Sequence, residues 1–178
     1  EMWTYSPMKS LSSKQPVARV GINFGAPGDR QAKSGTTWLD YPSVGGPSPN
    51  VKLRAVSKSG DYFRLHSTQV NGGGLKWVAA SGLEGVTSLT LQVNGKPTAK
   101  KYSLKLYFLE PDMQTKPGSR VFDVKIPGAT TISGLDVVKE SGGVRRLLVK
   151  EVPGVTIGKS LTITFVNGSR PLCQHSCI

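Results

Sequence analysis

The sequence predicts an all-β fold, an antiparallel β-sandwich of two sheets with jelly-roll topology. Its 178 residues are within what one all-β domain commonly occupies. The 21 glycines and 12 prolines favour short strands joined by tight turns. Several segments alternate apolar and polar residues with a period of two, as strands with one buried face do. Two sheets can bury such faces against each other, so we expect a single core.

The clearest alternation lies in the segment 102–109. Its residues on the predicted apolar face are Tyr102, Leu104, Leu106 and Phe108. Further predicted strands share this alternation or an apolar, β-rich composition: 20–24, 51–56, 62–66, 89–93, 122–126, 131–137, 145–152 and 161–165. About nine strands separated by turn residues are typical of an antiparallel sandwich or jelly roll.

Two stretches fall outside this strand pattern. Residues 1–18 are predicted to be a lead-in or linker to a domain that spans residues 19–178. The segment from Asn23 to Asn50 shows no period, is rich in glycine and proline, and contains Trp38, Asp40 and Tyr41. Loops of this length inside a compact domain are usually functional or disordered, and the interleaved aromatics argue against disorder. We therefore predict a long ordered loop with a binding role.

The chain is strongly basic, with 23 Lys and Arg against 11 Asp and Glu and a formal net charge of +12. Such charge suits nucleic acid, an acidic polysaccharide or another anionic surface, and it also serves as an ordinary solvated surface. The basic residues are spread along the chain, and only Lys100-Lys101 and Arg145-Arg146 are adjacent pairs. Without a basic arm, we predict no nucleic-acid partner.

The chain also lacks the features of a membrane span and of a disulfide framework. No apolar run approaches the roughly 20 residues that a spanning helix needs. The only cysteines are Cys173 and Cys177, so the core must hold the fold, and we expect Cys173 to be a buried thiol. Because the chain begins at Glu1, we expect a mature fragment or an excised domain of a larger protein.

The search for catalytic or metal chemistry is mostly negative. His66 and His175 are the only histidines, which makes a triad or a three-histidine metal site hard to build. Glu110 and Asp112 form a close acidic pair after a strong strand and could act as acid and base, although such pairs more often polarise a loop or contact a hydroxyl. We predict no enzyme activity, no metal and no cofactor.

Aromatic residues with polar neighbours point to sugar recognition. The aromatic candidates are Trp38, Tyr41, Tyr62 and Trp77, and their polar neighbours are Asp40, Asp61 and Lys76. A pyranose presents an apolar C–H face to an aromatic ring, while its hydroxyls bind carboxylates and amides. The alternative is that Trp38 and Trp77 plug the ends of the sandwich.

Several segments resemble malectin domains, and the similarity spans residues 19–178. The resemblance rests on these stretches: Val20-Gly-Ile-Asn-Phe-Gly25, Trp38-Leu-Asp40, Leu104-Lys-Leu-Tyr-Phe-Leu-Glu110, Gly118-Ser-Arg-Val-Phe-Asp-Val124, Leu135-Asp136 and Pro171-Leu-Cys173. The string from Gly21 to Arg30, together with Trp77-Val-Ala-Ala-Ser-Gly82, resembles the variant appended to bacterial quinoprotein-type β-propeller proteins. The resemblance implies an exported parent protein, extracellular or periplasmic, with further domains.

The resemblance also implies a ligand and shows two departures. Malectins bind glucose-containing oligosaccharides through loop aromatics and an aspartate, and Trp38 matches one of those aromatic positions. The aromatic pair that follows the family's Phe-x-Glu is replaced here by Pro111-Asp112. The late loop that carries the family's aspartate reads Asn167-Gly-Ser-Arg-Pro171. A cationic Arg170 in place of an anion favours a uronate-bearing or sulfated sugar.

The sequence therefore favours a non-catalytic carbohydrate-binding module for a poly- or oligosaccharide, with an anionic ligand as the favoured kind. The predicted binding residues are Trp38, Asp40, Tyr41, Tyr62, Trp77, Glu110, Asp112 and Arg170. A protein-interaction or spacer domain is the alternative, and a polysaccharide hydrolase is the least favoured. The fold alone does not choose among them.

Overall fold

The computed structural model describes residues 18–46, 48, 51–93 and 99–167, together with the backbone of residues 175–177. The strands are β1 (Gly21–Phe24), β2 (Arg30–Gln31), β3 (Thr37–Tyr41), β4 (Val51–Ser57), β5 (Tyr62–Arg64), β6 (Ser81–Glu84), β7 (Val86–Val93), β8 (Lys100–Phe108), β9 (Val121–Lys125), β10 (Ile132–Asp136), β11 (Leu148–Ile157), β12 (Ser160–Asn167) and β13 (His175–Cys177). Helical structure is limited to a 3-10 turn (Ser67–Gln69), α1 (Lys76–Ala79) and α2 (Val137–Ser141) in this part of the chain.

Two five-stranded sheets form the body of the domain. The first sheet has the strand order β10-β9-β12-β7-β4, and the second has the order β11-β8-β13-β6-β5. Every strand pair within these two sheets is antiparallel. The structure confirms the predicted all-β sandwich, and each of the nine predicted segments contains a strand.

The core lies between the two sheets and follows the alternation of the sequence. On β8 the buried residues are Leu104, Leu106 and Phe108, and on β12 they are Leu161, Ile163 and Phe165. Their apolar side chains belong to one cluster that both sheets supply. The ring of Phe108 from the second sheet lies 5.8 Å from that of Phe122 on the first. Burying each large apolar side chain contributes about 1.5–3 kcal/mol, so this double layer supplies most of the driving force.

The prediction of a long loop from Asn23 to Asn50 is wrong over part of its length. Strands β1, β3 and β2 form a third, small sheet in which β3 is central. β3 pairs in parallel with β1 and antiparallel with β2. The glycines and prolines of this segment flank the run Thr-Trp-Leu-Asp-Tyr and do not interrupt it, so the run can pair as a strand.

Specific polar contacts attach the small sheet to both large sheets. The Ser81 hydroxyl of β6 donates to the side-chain oxygen of Asn23 at 3.1 Å, and both residues are buried. Arg64 Nε donates to the carbonyl of Gly25 at 2.7 Å. On the other side, the Tyr41 hydroxyl accepts the backbone N–H of Ala55 on β4 at 3.3 Å. The small sheet is thereby fixed to β5 and β6 of the second large sheet and to β4 of the first.

The closest packing within the small sheet is between Trp38 and Gly21, which are register partners on β3 and β1. A Cβ added at Gly21 would lie 2.2 Å from the indole Cδ2 of Trp38, well inside contact distance. Glycine is therefore required at this position to let the indole lie against the β1 backbone. Trp38 is only 4% exposed.

We expect Trp38→Ala to lower the free energy of unfolding by about 3–5 kcal/mol, because it removes a large buried aromatic side chain. Gly21→Ala should cost about 1–3 kcal/mol by overpacking. The double variant should lose less unfolding free energy than the sum of the two single losses, since the added methyl then has no indole to displace. Urea unfolding of the four proteins measures this cycle.

Gly28→Ala is the matched control for the cycle, because a Cβ at Gly28 meets nothing within 4 Å. It should change the unfolding free energy by no more than about 0.5 kcal/mol. Strict additivity of Trp38→Ala and Gly21→Ala would contradict the packing described for this pair.

Candidate functional site

The predicted residue Trp38 is the centre of a buried aromatic cluster. Its ring makes edge-to-face contacts with Trp77 at 5.6 Å and with Tyr107 at 5.4 Å. We call Trp38, Trp77 and Tyr107 the indole cluster. Trp38 lies on β3, Trp77 on α1 and Tyr107 on β8, so the cluster joins the small sheet to the second large sheet. This arrangement agrees with the alternative interpretation of Trp38 as a packing residue.

Trp38 also carries an unusual polar feature. Its Nε1–H is buried and has no hydrogen-bond partner in the described part of the chain. An unsatisfied buried donor costs about 1–3 kcal/mol. Because the ring faces are covered and the residue is 4% exposed, Trp38 offers no open face on which a sugar ring could stack in this conformation.

Trp77 is half-buried and differs from Trp38 in its surroundings. The guanidinium carbon of Arg30, on β2, lies 4.4 Å from the centroid of the Trp77 ring. This is the geometry of a cation–π contact, which contributes about 0.5–1 kcal/mol at exposed sites. One face of Trp77 is therefore occupied by the cation, while the ring also contacts Trp38.

The other two predicted aromatics, Tyr41 and Tyr62, form a second group that we call the tyrosine pair. Both side chains are half-buried, and they come from β3 and β5 respectively. The Tyr41 ring makes an edge-to-face contact with Phe24 at 5.4 Å. Burial raises the pKa of the Tyr62 hydroxyl, and the neighbouring Tyr41 raises it further. Both tyrosines lie against Gly25, whose backbone N–H donates to the Tyr41 carbonyl at 2.7 Å and whose Cα faces the Tyr62 ring.

The two phenols of the tyrosine pair differ in hydrogen bonding. The Tyr41 hydroxyl accepts the N–H of Ala55, as described above. The described residues provide no hydrogen-bond partner for the Tyr62 hydroxyl, and the Tyr62 ring lies beside the Cα of Gly25. Gly25 has a φ of +74°, so a side chain there would be strained as well as close to the ring. The Tyr62 ring is thus half-buried, and its hydroxyl is not hydrogen-bonded to any of the described residues.

The predicted residue Asp40 is buried and holds the chain that follows β3. Its Oδ2 accepts the N–H of Val44 at 2.8 Å. Its own backbone N–H donates to Oδ1 of Asp29 at 2.9 Å. Burial raises the pKa of the Asp29 carboxyl and the Asp40 carboxylate adds to this, while the hydrogen bond from the Asp40 N–H opposes it. Asp40 thus supports the position of the tyrosine pair from one side.

Glu110 and Asp112 form a separate cluster with Arg120. The Arg120 guanidinium binds Oε2 of Glu110 at 2.5 Å and Oδ2 of Asp112 at 3.4 Å. The second oxygen of Glu110 accepts the N–H of Asp112 at 2.9 Å, and Oδ1 of Asp112 accepts the N–H of Gln114 at 2.9 Å. Glu110 is 3% exposed. These carboxylates clamp the loop between β8 and β9 and do not face each other across a groove.

The structure therefore divides the eight predicted residues into groups. It brings Trp38 and Trp77 together, it brings Tyr41 and Tyr62 together, and Asp40 lies on the strand that links the two groups. Glu110 and Asp112 belong to the clamp. Arg170 lies outside the described residues, as does Cys173, and Cys177 is described only by its backbone in β13.

Sequence reasoning missed three residues that shape this region: Asp29, Arg30 and Tyr107. Asp29 and Arg30 lie in the segment interpreted as a loop, where no periodicity marks a side chain's direction. The alternation of β8 correctly places Tyr107 on the side of the strand that faces away from the core. It does not reveal that Trp38 packs against Tyr107 on that side. Knowledge of the side-chain contact between Trp38 on β3 and Tyr107 on β8 would have been needed.

No group of three or more His, Cys, Asp or Glu side chains among the described residues is placed to hold a metal ion. None of the described helices has the length and apolar character needed to cross a membrane.

Asp29→Asn tests the electrostatics beside the tyrosine pair. The raised pKa means that ionised Asp29 is disfavoured in the fold, so its stability contribution is complete below the ordinary pKa of 3.8 and is lost as pH rises through the higher folded value. Asparagine keeps an oxygen acceptor for the Asp40 N–H but carries no charge. We expect a gain of at most about 0.5 kcal/mol at pH 7 that vanishes at acid pH, because the site is on the surface.

Thermal unfolding of Asp29→Asn and the parent protein across this pH range measures the gain. Asp61→Asn is the control, because Asp61 is also an exposed aspartate in a loop. Destabilisation by Asp29→Asn at pH 7 would contradict the assignment.

Parts of this chain are similar to known proteins. The family model of the Malectin domain matches residues 86–170. Receptor-like protein 4 of Arabidopsis thaliana is 38% identical over 76 residues, which are 42% of this chain and 12% of that protein. The chain thus spans only a small part of the curated relative that it matches.

Solved structures show the same fold over most of the chain. A beta-glucuronidase of Bacteroides uniformis matches with a TM-score of 0.59 and 17% identity, covering 89% of this chain and 17% of that chain. The ANX2 ectodomain from Arabidopsis thaliana matches with a TM-score of 0.59 and 15% identity, covering 89% of this chain and 48% of that chain. The chain therefore has the fold of malectin-like ectodomains, with a Malectin domain match over residues 86–170.

Proposed function

We propose that this domain is a non-catalytic carbohydrate-binding module that recognises a poly- or oligosaccharide at the tyrosine pair. The observation that carries the proposal is the half-exposed Tyr62 ring, whose hydroxyl has no hydrogen-bond partner among the described residues. A ring of this kind stacks on the C–H face of a pyranose, and its hydroxyl donates to or accepts from a sugar hydroxyl. The Malectin domain match supports a sugar as the ligand.

The surroundings of the tyrosine pair suit such a ligand. Tyr41 supplies a second half-buried ring from the neighbouring strand β3. The adjacent turn between β4 and β5 adds exposed polar residues, including Ser59 and Asp61. Asp40 and the contact of Tyr41 with Ala55 hold the pair in place before a ligand arrives. A preformed site of this kind loses little conformational entropy on binding.

Trp38 takes a different role in this proposal from the one that the sequence suggests. Because the indole cluster is packed, Trp38 supports the strand that carries Tyr41 and does not itself stack on the ligand. Trp77 and Arg30 lie at the exposed margin of the cluster, where Arg30 could pair with an acidic sugar if it left the ring face. Arg170 is proposed as a further cationic contact on the basis of its sequence position alone.

The carboxylates do not support a hydrolase. Both oxygens of Glu110 accept hydrogen bonds, one of them from Arg120, and a general acid needs a proton that it can release to a substrate. The likeness to a beta-glucuronidase is one of fold alone at 17% identity, and the matched part is 17% of that chain. We therefore propose binding without turnover.

A protein-interaction or spacer domain is the second candidate function. The burial of Trp38 favours it, because the residue that matches a family ligand position here serves packing. The similarity to ectodomains of larger proteins agrees with either function. In both cases we propose that the chain is one module of an exported parent protein. Its attachment to a bacterial quinoprotein-type β-propeller stays a prediction.

A glycan array followed by calorimetry with the best-bound oligosaccharide tests the proposal. Tyr62→Ala should weaken binding about tenfold or more, since stacking and one hydrogen bond contribute on the order of 1 kcal/mol each. Tyr62→Phe should lose only the hydrogen-bond share. Tyr102→Phe, a half-buried tyrosine on β8, serves as the matched control and should bind normally.

Two results would overturn the proposal. Unchanged binding by folded Tyr41→Ala and Tyr62→Ala variants would remove the tyrosine pair from recognition and favour the interaction domain. Release of shorter sugars from a bound polysaccharide, abolished by Glu110→Gln, would contradict the absence of catalysis.

A further inference from the structure

The outward face of the first large sheet is mainly polar, although Val56 of β4 is exposed on it. Strands β4, β7, β12 and β9 lie side by side in this sheet, and their register aligns the outward residues in rows. The residues that matter, in strand order, are Arg54, Thr90 and Thr162 in one row and Ser88, Thr164 and Lys125 in the next. All six are exposed or half-exposed.

Hydroxyl groups cover the middle of this face. Thr90 and Thr162 share a hydrogen bond of 3.0 Å between their side-chain oxygens. Gln92 on β7 and Ser160 on β12 extend the same polar surface by one further row. Each hydroxyl can both donate and accept a hydrogen bond. The two threonine hydroxyls that bond to each other can therefore still form further hydrogen bonds with a ligand. The other face of these strands forms the apolar core. The outward hydroxyls are therefore not needed for core packing.

Cations flank the hydroxyls on both sides. Lys52 and Arg54 are two residues apart on β4 and thus point to the same side about 7 Å from each other. Lys125 is on β9, three strands away, which corresponds to about 14 Å across the sheet. We call Lys52, Arg54 and Lys125, with the hydroxyls between them, the cationic face.

These positive charges are not neutralised within the described part of the chain. The four ion pairs found there involve Lys105, Lys150 and Arg120, and none involves a cation of this face. The single carboxylate that β4, β7, β9 and β12 carry in their sequences is Asp123. Its Oδ1 accepts the N–H of Gly134 at 2.7 Å. The face therefore presents a net positive charge to solvent.

The spacing of the cations indicates a polymeric partner. One exposed ion pair contributes at most about 1 kcal/mol, so a small anion would be held weakly at any one of these positions. A chain with repeated negative groups can engage several cations at once, and each further contact is then intramolecular. The short hydroxyl side chains between the cations leave room for such a chain to lie across the strands.

The chemistry of the face favours a polysaccharide over a nucleic acid. Single-stranded nucleic acids are held by aromatic side chains on which bases stack, and the outward residues of β4, β7, β9 and β12 include none. Duplex DNA is read by a helix or ribbon that enters a groove, which a flat sheet does not do. Hydroxyl and amide groups between cations instead match the hydroxyls and anionic groups of an acidic sugar chain.

We propose that the cationic face binds an acidic polysaccharide. The carboxylate or sulfate groups of this ligand pair with Lys52, Arg54 and Lys125, and its hydroxyls bind Thr90 and Thr162. This surface is separate from the tyrosine pair, so it goes beyond the function proposed above and does not depend on it. In this proposal, three of the basic residues behind the excess positive charge of the chain, Lys52, Arg54 and Lys125, have a binding role.

The test measures binding of heparin and of polygalacturonate, as sulfated and carboxylated probes, by the variant Lys52→Gln/Arg54→Gln/Lys125→Gln. The matched control is Lys101→Gln/Lys139→Gln/Arg146→Gln, which removes the same number of exposed charges elsewhere. Thermal unfolding should show both variants folded, because all six side chains point to solvent. We expect the face variant to lose about tenfold in affinity for at least one probe, and the control to lose less than about twofold.

The probe that loses more affinity identifies sulfate or carboxylate as the preferred anion. Raising salt from about 0.1 M to 1 M should weaken parent binding, since the Debye length falls from about 10 Å to 3 Å. The Tyr62→Ala variant should bind these probes normally, which separates this proposal from the previous one. The proposal would be overturned if both triple variants lost the same affinity, or if neither lost any. It would also be overturned if single-stranded DNA displaced heparin and its affinity fell equally in the face variant.

Discussion

The packing of Trp38 on Gly21 is the constraint on which the proposed binding region depends. It joins β3 to β1 at a point where only glycine leaves room for the indole. The same indole contacts Tyr107 of the second large sheet and Trp77 of α1, so it connects three elements. Because β3 is a short strand in a small sheet, it lacks the area to hold its position by backbone pairing alone. The aromatic contacts supply the difference.

The position of β3 in turn determines where the tyrosine pair lies. Tyr41 is the last residue of β3, and its hydroxyl reaches β4 of the first large sheet. Tyr62 begins β5 of the second large sheet. The pair therefore stands where the small sheet meets both large ones, at an edge that neither sheet could form alone. In our proposal, β3 carries both a packing residue, the buried Trp38, and a binding residue, the half-buried Tyr41.

The sequence was sufficient for the fold because alternation reports burial directly. Each predicted run, such as 102–109, has one apolar face, and two such faces make a sandwich. The sequence could not place β3, since a short strand flanked by glycine and proline resembles a loop. It could not show that Trp38 is buried either, because this depends on contacts with Gly21 and Tyr107 that are distant in sequence. The cationic face likewise emerges only from strand register, as Arg54 and Lys125 are 71 positions apart.

The central claim is that sugar is recognised by the tyrosine pair while Trp38 serves packing. The most direct measurement is an NMR titration of the labelled domain with its best-bound oligosaccharide, following backbone amides and indole Nε1–H signals together. The account predicts the largest shifts at Tyr62, Tyr41 and the turn before β5, with little change at the Trp38 indole. A dominant shift of the Trp38 indole signal, with the amides of Tyr41 and Tyr62 unmoved, would contradict it.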